Sequence, residues 1–84
     1  MWSNGIIFVP ATLSNEPTAV HYWIKHYKNP SKYGIKNGRI SKLTLKIKGR
    51  TVCNYDRGWD VTPTCKEAEI ALKVLLYEYD RRNE

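Results

Sequence analysis

Two segments of the chain alternate apolar and polar side chains with a period of two residues, and this alternation constrains the fold more than any other feature. In residues 19–27, one set of alternate positions is Val20, Tyr22, Ile24 and His26. In residues 39–48, the corresponding inward set is Ser41, Leu43, Leu45 and Ile47. A period of two is typical of a strand that buries one face and exposes the other. The chain is therefore expected to build a sheet with one covered face.

Shorter segments complete the predicted sheet. The apolar, β-branched residues 5–9 predict a short buried strand that pairs with the first alternating segment. Residues 51–55 predict a fourth strand, joined to the third by a tight hairpin at Gly49 and Arg50. Residues 28–38 are rich in turn formers and in lysine, and they predict an exposed loop. We therefore predict an antiparallel β-meander of about four strands.

One amphipathic helix is predicted at the C-terminal end of the chain. Thr64 and Glu67 have the spacing of a capping box, and the helix is expected to reach about Arg81. The apolar positions that should cover the sheet are Ala68, Ala71, Leu72, Leu75, Leu76 and Tyr79. A second apolar stripe lies nearly opposite and consists of Ile70, Val74 and Tyr77. Such a stripe is typical of an interface, so we expect a homodimer. The predicted fold class is α+β, with residues 1–84 as a single domain and the helix packed on one face of the sheet.

The middle of the chain is strongly basic and aromatic. Residues 21–55 contain nine Lys or Arg and no Asp or Glu, in a chain of 84 residues with a net charge of +6. The aromatic residues interleaved with these cations include Tyr22, Trp23, Tyr27 and Tyr33. This combination predicts an anionic partner that contains bases. A basic field also attracts acidic proteins, so the charge alone does not choose among nucleotide, nucleic-acid and protein partners.

Other features bear on compartment and cofactors. No apolar run is long enough for a signal peptide or a membrane span, so we expect a soluble cytoplasmic protein with no membrane partner. Cys53 and Cys65 are expected to be free thiols in a reducing compartment. The spacing of His21 and His26 does not suit a zinc site with these cysteines, so no metal and no cofactor is expected.

The segment from Tyr55 to Asp60 places charges of both signs and two aromatic rings around a glycine where a strand should end. Loops of this composition often carry function. The rings can stack a base, the arginines can bind a phosphate, and the carboxylates can accept from ribose hydroxyls or base amino groups. Together with two cations from the third strand, the candidate ligand-binding residues are Arg39, Lys42, Tyr55, Asp56, Arg57, Trp59 and Asp60.

The same residues admit a structural interpretation. Asp56 would pair with Arg39 or Arg57. Trp59 would close the open end between helix and sheet, and Gly58 would supply a positive φ. No nucleophile lies in a suitable context and no metal set is present, so we assign no catalytic residue and expect a binding protein, not an enzyme.

Two motifs resemble a known family. They are YGIKNGRISKL at residues 33–43 and NYDRGWD at residues 54–60. Over about residues 21–79 the chain resembles small uncharacterised proteins of Gram-positive bacteria, their phages and other mobile elements. That family has a second glycine where this chain has Asn37, and turn chemistry permits either residue. The resemblance implies a context, because small phage or mobile-element proteins are often binders that disarm a host defence.

Within that context, the resemblance implies two mechanisms. In the first, the protein sequesters a nucleotide signal in the host cytoplasm. The base would stack on Tyr33, Tyr55 and Trp59. The phosphates would bind Arg39, Lys42 and Arg57.

In the second mechanism, the protein resembles an anti-CRISPR or another inhibitor that occupies the surface of a defence nuclease. The contacts would then come from the stripe Ile70, Val74 and Tyr77 or from an acidic patch with Glu67, Glu69 and Glu78. The basic middle favours the first mechanism or direct nucleic-acid binding. A weak nucleic-acid-binding accessory module of a mobile element is a third interpretation.

Overall fold

The computed structural model of the protein describes residues 1–10 and 16–80. These residues contain one antiparallel sheet whose five strands follow one another in sequence order. The strands are β1 (Trp2–Pro10), β2 (Pro17–His26), β3 (Ile40–Ile47), β4 (Arg50–Asp56) and β5 (Trp59–Val61). A 3₁₀ turn, Ile35–Asn37, lies between β2 and β3, and the helix α1 (Lys66–Asp80) follows the sheet. The predicted α+β meander with one C-terminal helix is confirmed, with five strands instead of about four.

The additional strand lies in the segment that was predicted to be a loop. β4 ends at Asp56, whereas the predicted strand ended at Tyr55, and the chain then reverses so that Trp59 pairs with Tyr55 in β5. The Asp56 N–H donates to the Gly58 carbonyl at 2.9 Å. The positive φ of this turn belongs to Arg57, at 59°, and not to Gly58 as the structural interpretation required. A strand of three residues is too short for its side-chain period to be recognised in a sequence.

The first strand is longer than predicted and is exposed on one side. It begins at Trp2, and its even-numbered side chains face solvent whereas Val9 is buried. The apolar run predicted a short buried strand, but β1 is the edge of the sheet and only one of its faces is covered. The large apolar side chains on the uncovered face of β1 are therefore exposed to solvent.

Two other predicted boundaries also shift by one residue. The hairpin between β3 and β4 turns at Lys48 and Gly49, which both have positive φ, the geometry that matches the twist of paired strands. Helix α1 begins at Lys66, and the Cys65 carbonyl accepts its first bond, from the Glu69 N–H at 3.1 Å. Cys65 therefore holds the N-cap position predicted for Thr64. The predicted helix end, Arg81, lies outside the described residues.

The core lies between α1 and the sheet. Of the alternate positions listed for the two segments, Val20, Ile24, Ser41, Leu43 and Leu45 are buried, whereas Tyr22, His26 and Ile47 are partly buried. The helix buries Ala68, Ala71 and Leu75 against them, and Leu72, Leu76 and Tyr79 pack at the edge of this core. Cys53 is a free thiol within it, and burial raises the pKa of Cys53 to about 11, which keeps the thiol protonated near neutral pH.

Candidate functional site

An open groove of about 760 Å³ lies at the end of the sheet where β2 and β4 end and β3 begins. Four of the residues that line it were predicted as ligand-binding: Tyr33, Lys42, Asp56 and Arg57. A cation and an aromatic residue that also line the groove, Lys25 and Tyr27, were not predicted as ligand-binding residues. We call this feature the end groove. It brings together half of the eight predicted ligand-binding residues.

The loop between β2 and β3 presents Tyr33 to the end groove because it folds back on itself. The Ser31 N–H donates to the Gly38 carbonyl, and the Gly34 N–H donates to the Ser31 carbonyl, both at 3.0 Å. Ile35 anchors the loop in the core with an exposed fraction of 1%. Asn37 has a φ of 58°, a conformation that asparagine and glycine tolerate. The first motif therefore encodes a loop whose conformation is fixed by its own hydrogen bonds and by the buried Ile35, and this conformation fixes the position of Tyr33.

Tyr33 is an exposed ring flanked by cations. The Arg57 guanidinium lies 5.4 Å from its ring centroid, and the Lys32 ammonium lies 5.3 Å from it. The Tyr33 carbonyl accepts a hydrogen bond of 2.9 Å from the Tyr55 hydroxyl. Tyr55 is itself buried, so its hydroxyl holds the loop and its ring is not free to stack a base. The pair formed by Tyr33 and Arg57 offers an aromatic face beside a positive charge.

The floor of the end groove is a row of charged side chains across three strands. Lys25, Lys42 and Asp56 are direct cross-strand neighbours. Lys42 Nζ lies 3.6 Å from Asp56 Oδ1, so the predicted pairing of Asp56 with Arg39 or Arg57 is replaced by a pairing with Lys42. Lys25 has no carboxylate at ion-pair distance among the described residues and lies 5.8 Å from the Tyr27 ring centroid. Like charges opposite each other on a sheet repel, and a bound anion would relieve that repulsion.

The Arg57 backbone is held in a conformation that arginine rarely adopts. Its φ of 59° lies in the left-handed region, which costs a non-glycine residue roughly 1–2 kcal/mol. A bond of 2.9 Å from the Arg57 N–H to the Ser41 carbonyl fixes this geometry. Glycine would adopt the same turn without strain, so an arginine at this position carries a local conformational cost.

Arg39 is placed elsewhere, at the C-terminus of α1. Its Nη1 donates to the carbonyls of Tyr79 at 3.2 Å and Asp80 at 2.8 Å. Its backbone N–H donates to Asp80 Oδ1 at 2.9 Å. A cation in this position satisfies free carbonyls and is favoured by the helix dipole. The structure therefore separates Arg39 from the end groove and gives it a capping role.

Trp59 and Asp60 also lie outside the end groove. Trp59 packs edge-to-face on Tyr55 with ring centroids 5.0 Å apart. Asp60 Oδ2 accepts from the Asn54 side-chain amide at 3.0 Å. Both residues stabilise the short hairpin of β4 and β5. Within the second motif, Trp59 and Asp60 therefore support the fold, whereas Asp56 and Arg57 line the end groove.

The predicted interface stripe on α1 is narrower than expected. Ile70 packs partly against the core, whereas Val74 and Tyr77 have exposed fractions of 43% and 62%. Dimerisation through this stripe stays a prediction. Val74→Glu is expected to convert a dimer to a monomer by placing a charge in the apolar contact, and sedimentation gives the mass. An unchanged dimer mass would rule out this stripe as the dimer interface.

A protein-family profile described as "Domain of unknown function (DUF7678)" matches residues 1–80. The chain belongs to the DUF7678 family. No curated protein and no solved structure matches it. In this DUF7678 chain, no described helix is both long and apolar enough to cross a membrane.

The missed groove residues of the DUF7678 chain carried a recognisable signal. Lys25 and Tyr27 belong to the outward set of the first alternating segment, which also contains His21 and Trp23. The alternation predicts that these side chains leave the core. It does not predict that two of them meet Tyr33, because that depends on how the loop folds back.

Proposed function

We propose that this DUF7678 protein is a non-enzymatic binding protein that holds an anionic, nucleotide-type ligand in the end groove. The observation that carries this proposal is the pairing of free cations with exposed rings. Among the described residues, the Arg57 and Lys25 side chains have no hydrogen-bond or ion-pair partner, and each lies beside a tyrosine ring. A phosphate bound to these cations would satisfy their hydrogen-bonding capacity, and a base could stack on the tyrosines.

The binding mode follows from the positions of the side chains. Arg57 can donate two parallel bonds to a phosphate, and Lys25 can add a point charge. Tyr33 and Tyr27 offer faces for the base, in place of Tyr55 and Trp59. Asp56 is already shared with Lys42 and would accept from a ribose hydroxyl or a base amino group. The groove is open, so a ligand with several phosphates can extend beyond it.

The biological role in this proposal is sequestration of a nucleotide signal. Encoded by a phage or mobile element and acting in the host cytoplasm, the protein would neutralise a host defence by lowering the free concentration of its messenger. Such a role requires affinity and abundance, not catalysis.

A second candidate is an inhibitor that binds a defence nuclease directly. The exposed pair Val74 and Tyr77 on α1 supports it, since a contact with another protein would cover them. Val74→Glu would then abolish inhibition and leave nucleotide binding in the end groove intact.

Arg57→Gly separates the ligand role from a fold role. Glycine adopts the positive φ without strain, so the free energy of unfolding is expected to stay within about 1 kcal/mol of the wild type or to rise. Affinity for a nucleotide ligand is expected to fall at least about tenfold, because a charged hydrogen-bond donor is lost. Isothermal titration calorimetry against nucleoside mono-, di- and triphosphates and cyclic nucleotides measures this affinity. Native mass spectrometry of the protein as purified selects the ligand class first.

Arg50→Ala is the matched control for charge. Arg50 begins β4 at the opposite end of the sheet from the end groove. The variant loses the same formal charge and should bind as the wild type does. Equal losses in the two variants would mean that the binding is unspecific attraction to a basic protein, and unchanged affinity in Arg57→Gly would remove the end groove from consideration.

A further inference from the structure

The sheet has a second face, opposite α1, that the described residues leave open. The register of the strands places its side chains in successive cross-strand rows. The first row is Trp2, Lys25, Lys42 and Asp56. The second is Asn4, Trp23, Thr44 and Asn54. The third contains Ile6, His21 and Lys46, and the fourth contains Phe8 and Ala19. We call this surface the open face.

Three large aromatic side chains on the open face are exposed to solvent. The exposed fractions are 59% for Trp2, 66% for Phe8 and 40% for Trp23. None of them belongs to the buried core. Aromatic groups clustered in water on one face of a small protein mark a binding surface.

The cations on the open face are placed beside these rings. The Lys25 ammonium lies 5.9 Å from the Trp2 ring centroid, and the Lys46 ammonium lies 5.8 Å from that of Trp23. His21 stacks on Trp23 with ring centroids 6.1 Å apart. Lys46 is directly opposite His21, as Lys25 is opposite Lys42. Basic groups and aromatic rings therefore alternate over β1, β2 and β3.

The acidic groups near the open face lie at its borders: Asp56 and Asp60 at one side, and Glu16, which lines a pocket with Ala19 and His21, just before the start of β2. β1, β2 and β3 contain no Asp or Glu in their sequences. Asp56 on β4 is paired with Lys42, and Asp60 on β5 accepts from Asn54. The remaining surface has the charge of a site for an extended anion.

We infer that the open face binds single-stranded nucleic acid, with bases stacked on Trp2, Trp23 and Phe8 and phosphates held by Lys25 and Lys46. Base stacking on aromatic rings beside a basic track is the general mode of binding single strands without sequence preference. Trp2 and Trp23 lie on adjacent strands in neighbouring rows, diagonal positions about 7–8 Å apart, which is within reach of two successive bases. A duplex hides the faces of its bases, and a second copy of the same face would set lysines against lysines.

This inference goes beyond the proposed function, and Lys25 is the one ligand that the two have in common. Tyr33 and Arg57 in the end groove are not part of the open face, and Trp2, Phe8, Trp23 and Lys46 do not line the end groove. The row of Lys25 and Lys42 is shared by both. A strand bound on the open face could therefore continue into the end groove.

Fluorescence anisotropy with a labelled oligothymidylate, and with a duplex of the same length, tests the inference over a range of salt concentrations. The wild type is expected to prefer the single strand. The double variant Trp2→Ala with Phe8→Ala should lose at least about tenfold in affinity, because two stacking faces are removed. Its circular dichroism spectrum should stay that of the wild type, since both side chains are exposed. Tyr77→Ala on α1 is the aromatic control and should bind normally.

Lys46→Gln provides a second test that does not depend on the aromatic residues. The plot of log affinity against log salt concentration has a negative slope, and the magnitude of that slope should decrease by about one, as for one lost phosphate contact. Lys73→Gln, an exposed position on α1, removes the same charge and should leave the slope unchanged. The Trp2, Phe8 and Lys46 variants leave Tyr33 and Arg57 of the end groove unchanged, so failure of the end-groove proposal leaves these results unaffected.

Three outcomes would overturn the inference. The first is no binding of the single strand by the wild type at low salt. The second is a wild type that binds the duplex as tightly as the single strand, together with a double aromatic variant that keeps the full affinity for the single strand. The interaction would then be unspecific attraction between charges. The third is a wild-type dimer that becomes a monomer in the double variant, which would assign the open face to a second copy of the chain.

Discussion

Gly34→Ala is expected to destabilise the fold by about 3–5 kcal/mol, which is a large part of the stability of so small a domain. A Cβ atom at this position would lie 2.0 Å from the Gly38 carbonyl oxygen and 2.7 Å from its carbon. Both atoms belong to the backbone, so no side-chain rotation can relieve the clash. The loop would have to open, and Ile35 would leave the core and create a cavity. Urea or thermal unfolding followed by circular dichroism measures the loss.

Gly58→Ala is the matched control for this prediction. A Cβ atom at Gly58 would meet nothing within 4 Å, and its φ is not positive. The substitution is therefore expected to change the free energy of unfolding by no more than about 0.5–1 kcal/mol. Similar melting temperatures for the two variants would mean that the Gly34 loop relaxes freely and does not hold Tyr33 in place.

The sheet and the helix could be predicted from the sequence because each has a dominant local period. β2 and β3 alternate with one buried face, and α1 repeats its apolar positions at helical spacing. β5 could not be predicted, because it has three residues and is held by pairing with β4. The exposure of β1 was missed for a related reason, since an apolar run does not indicate whether its strand is central or at an edge.

The candidate site was predictable in composition and not in arrangement. The charged and aromatic residues of the end groove stand out in the sequence, but their convergence depends on the Gly34–Gly38 contact that folds the loop. The left-handed residue of the last hairpin was predicted at Gly58, the residue type that favours it, whereas the structure places it at Arg57. Such a departure from the local rule is expected where a side chain serves a function.

The role of Arg39 could not be predicted, because its partners are about 40 residues away in the sequence. The first motif places it beside lysines and suggests a phosphate ligand. The contact with α1 arises only when the loop docks on the end of the helix. Gly38 permits this docking, since a Cβ atom there would lie 2.6 Å from the Asp80 carboxylate oxygens.

Arg39→Ala is accordingly expected to reduce stability and to leave the end groove functional. The variant loses two charged hydrogen bonds and a favourable interaction with the helix dipole, together about 2–3 kcal/mol. For a domain of this size, that corresponds to a decrease in melting temperature of roughly 10–20 °C. Thermal unfolding measures the decrease, and calorimetry well below the transition measures ligand affinity. Arg39→Lys should recover part of the stability, because it keeps the charge but not the planar guanidinium.

The substitutions at the two arginines are therefore expected to have opposite effects on affinity and stability. Arg57→Gly should lose affinity at unchanged or increased stability, and Arg39→Ala should lose stability at unchanged affinity. If Arg39→Ala instead lost affinity with the same melting temperature as the wild type, the capping bonds would contribute nothing, and Arg39 would be a phosphate ligand. The loop would then have to leave the end of α1 when ligand binds, and that movement would expose the Asp80 carboxylate that now accepts from the Arg39 backbone.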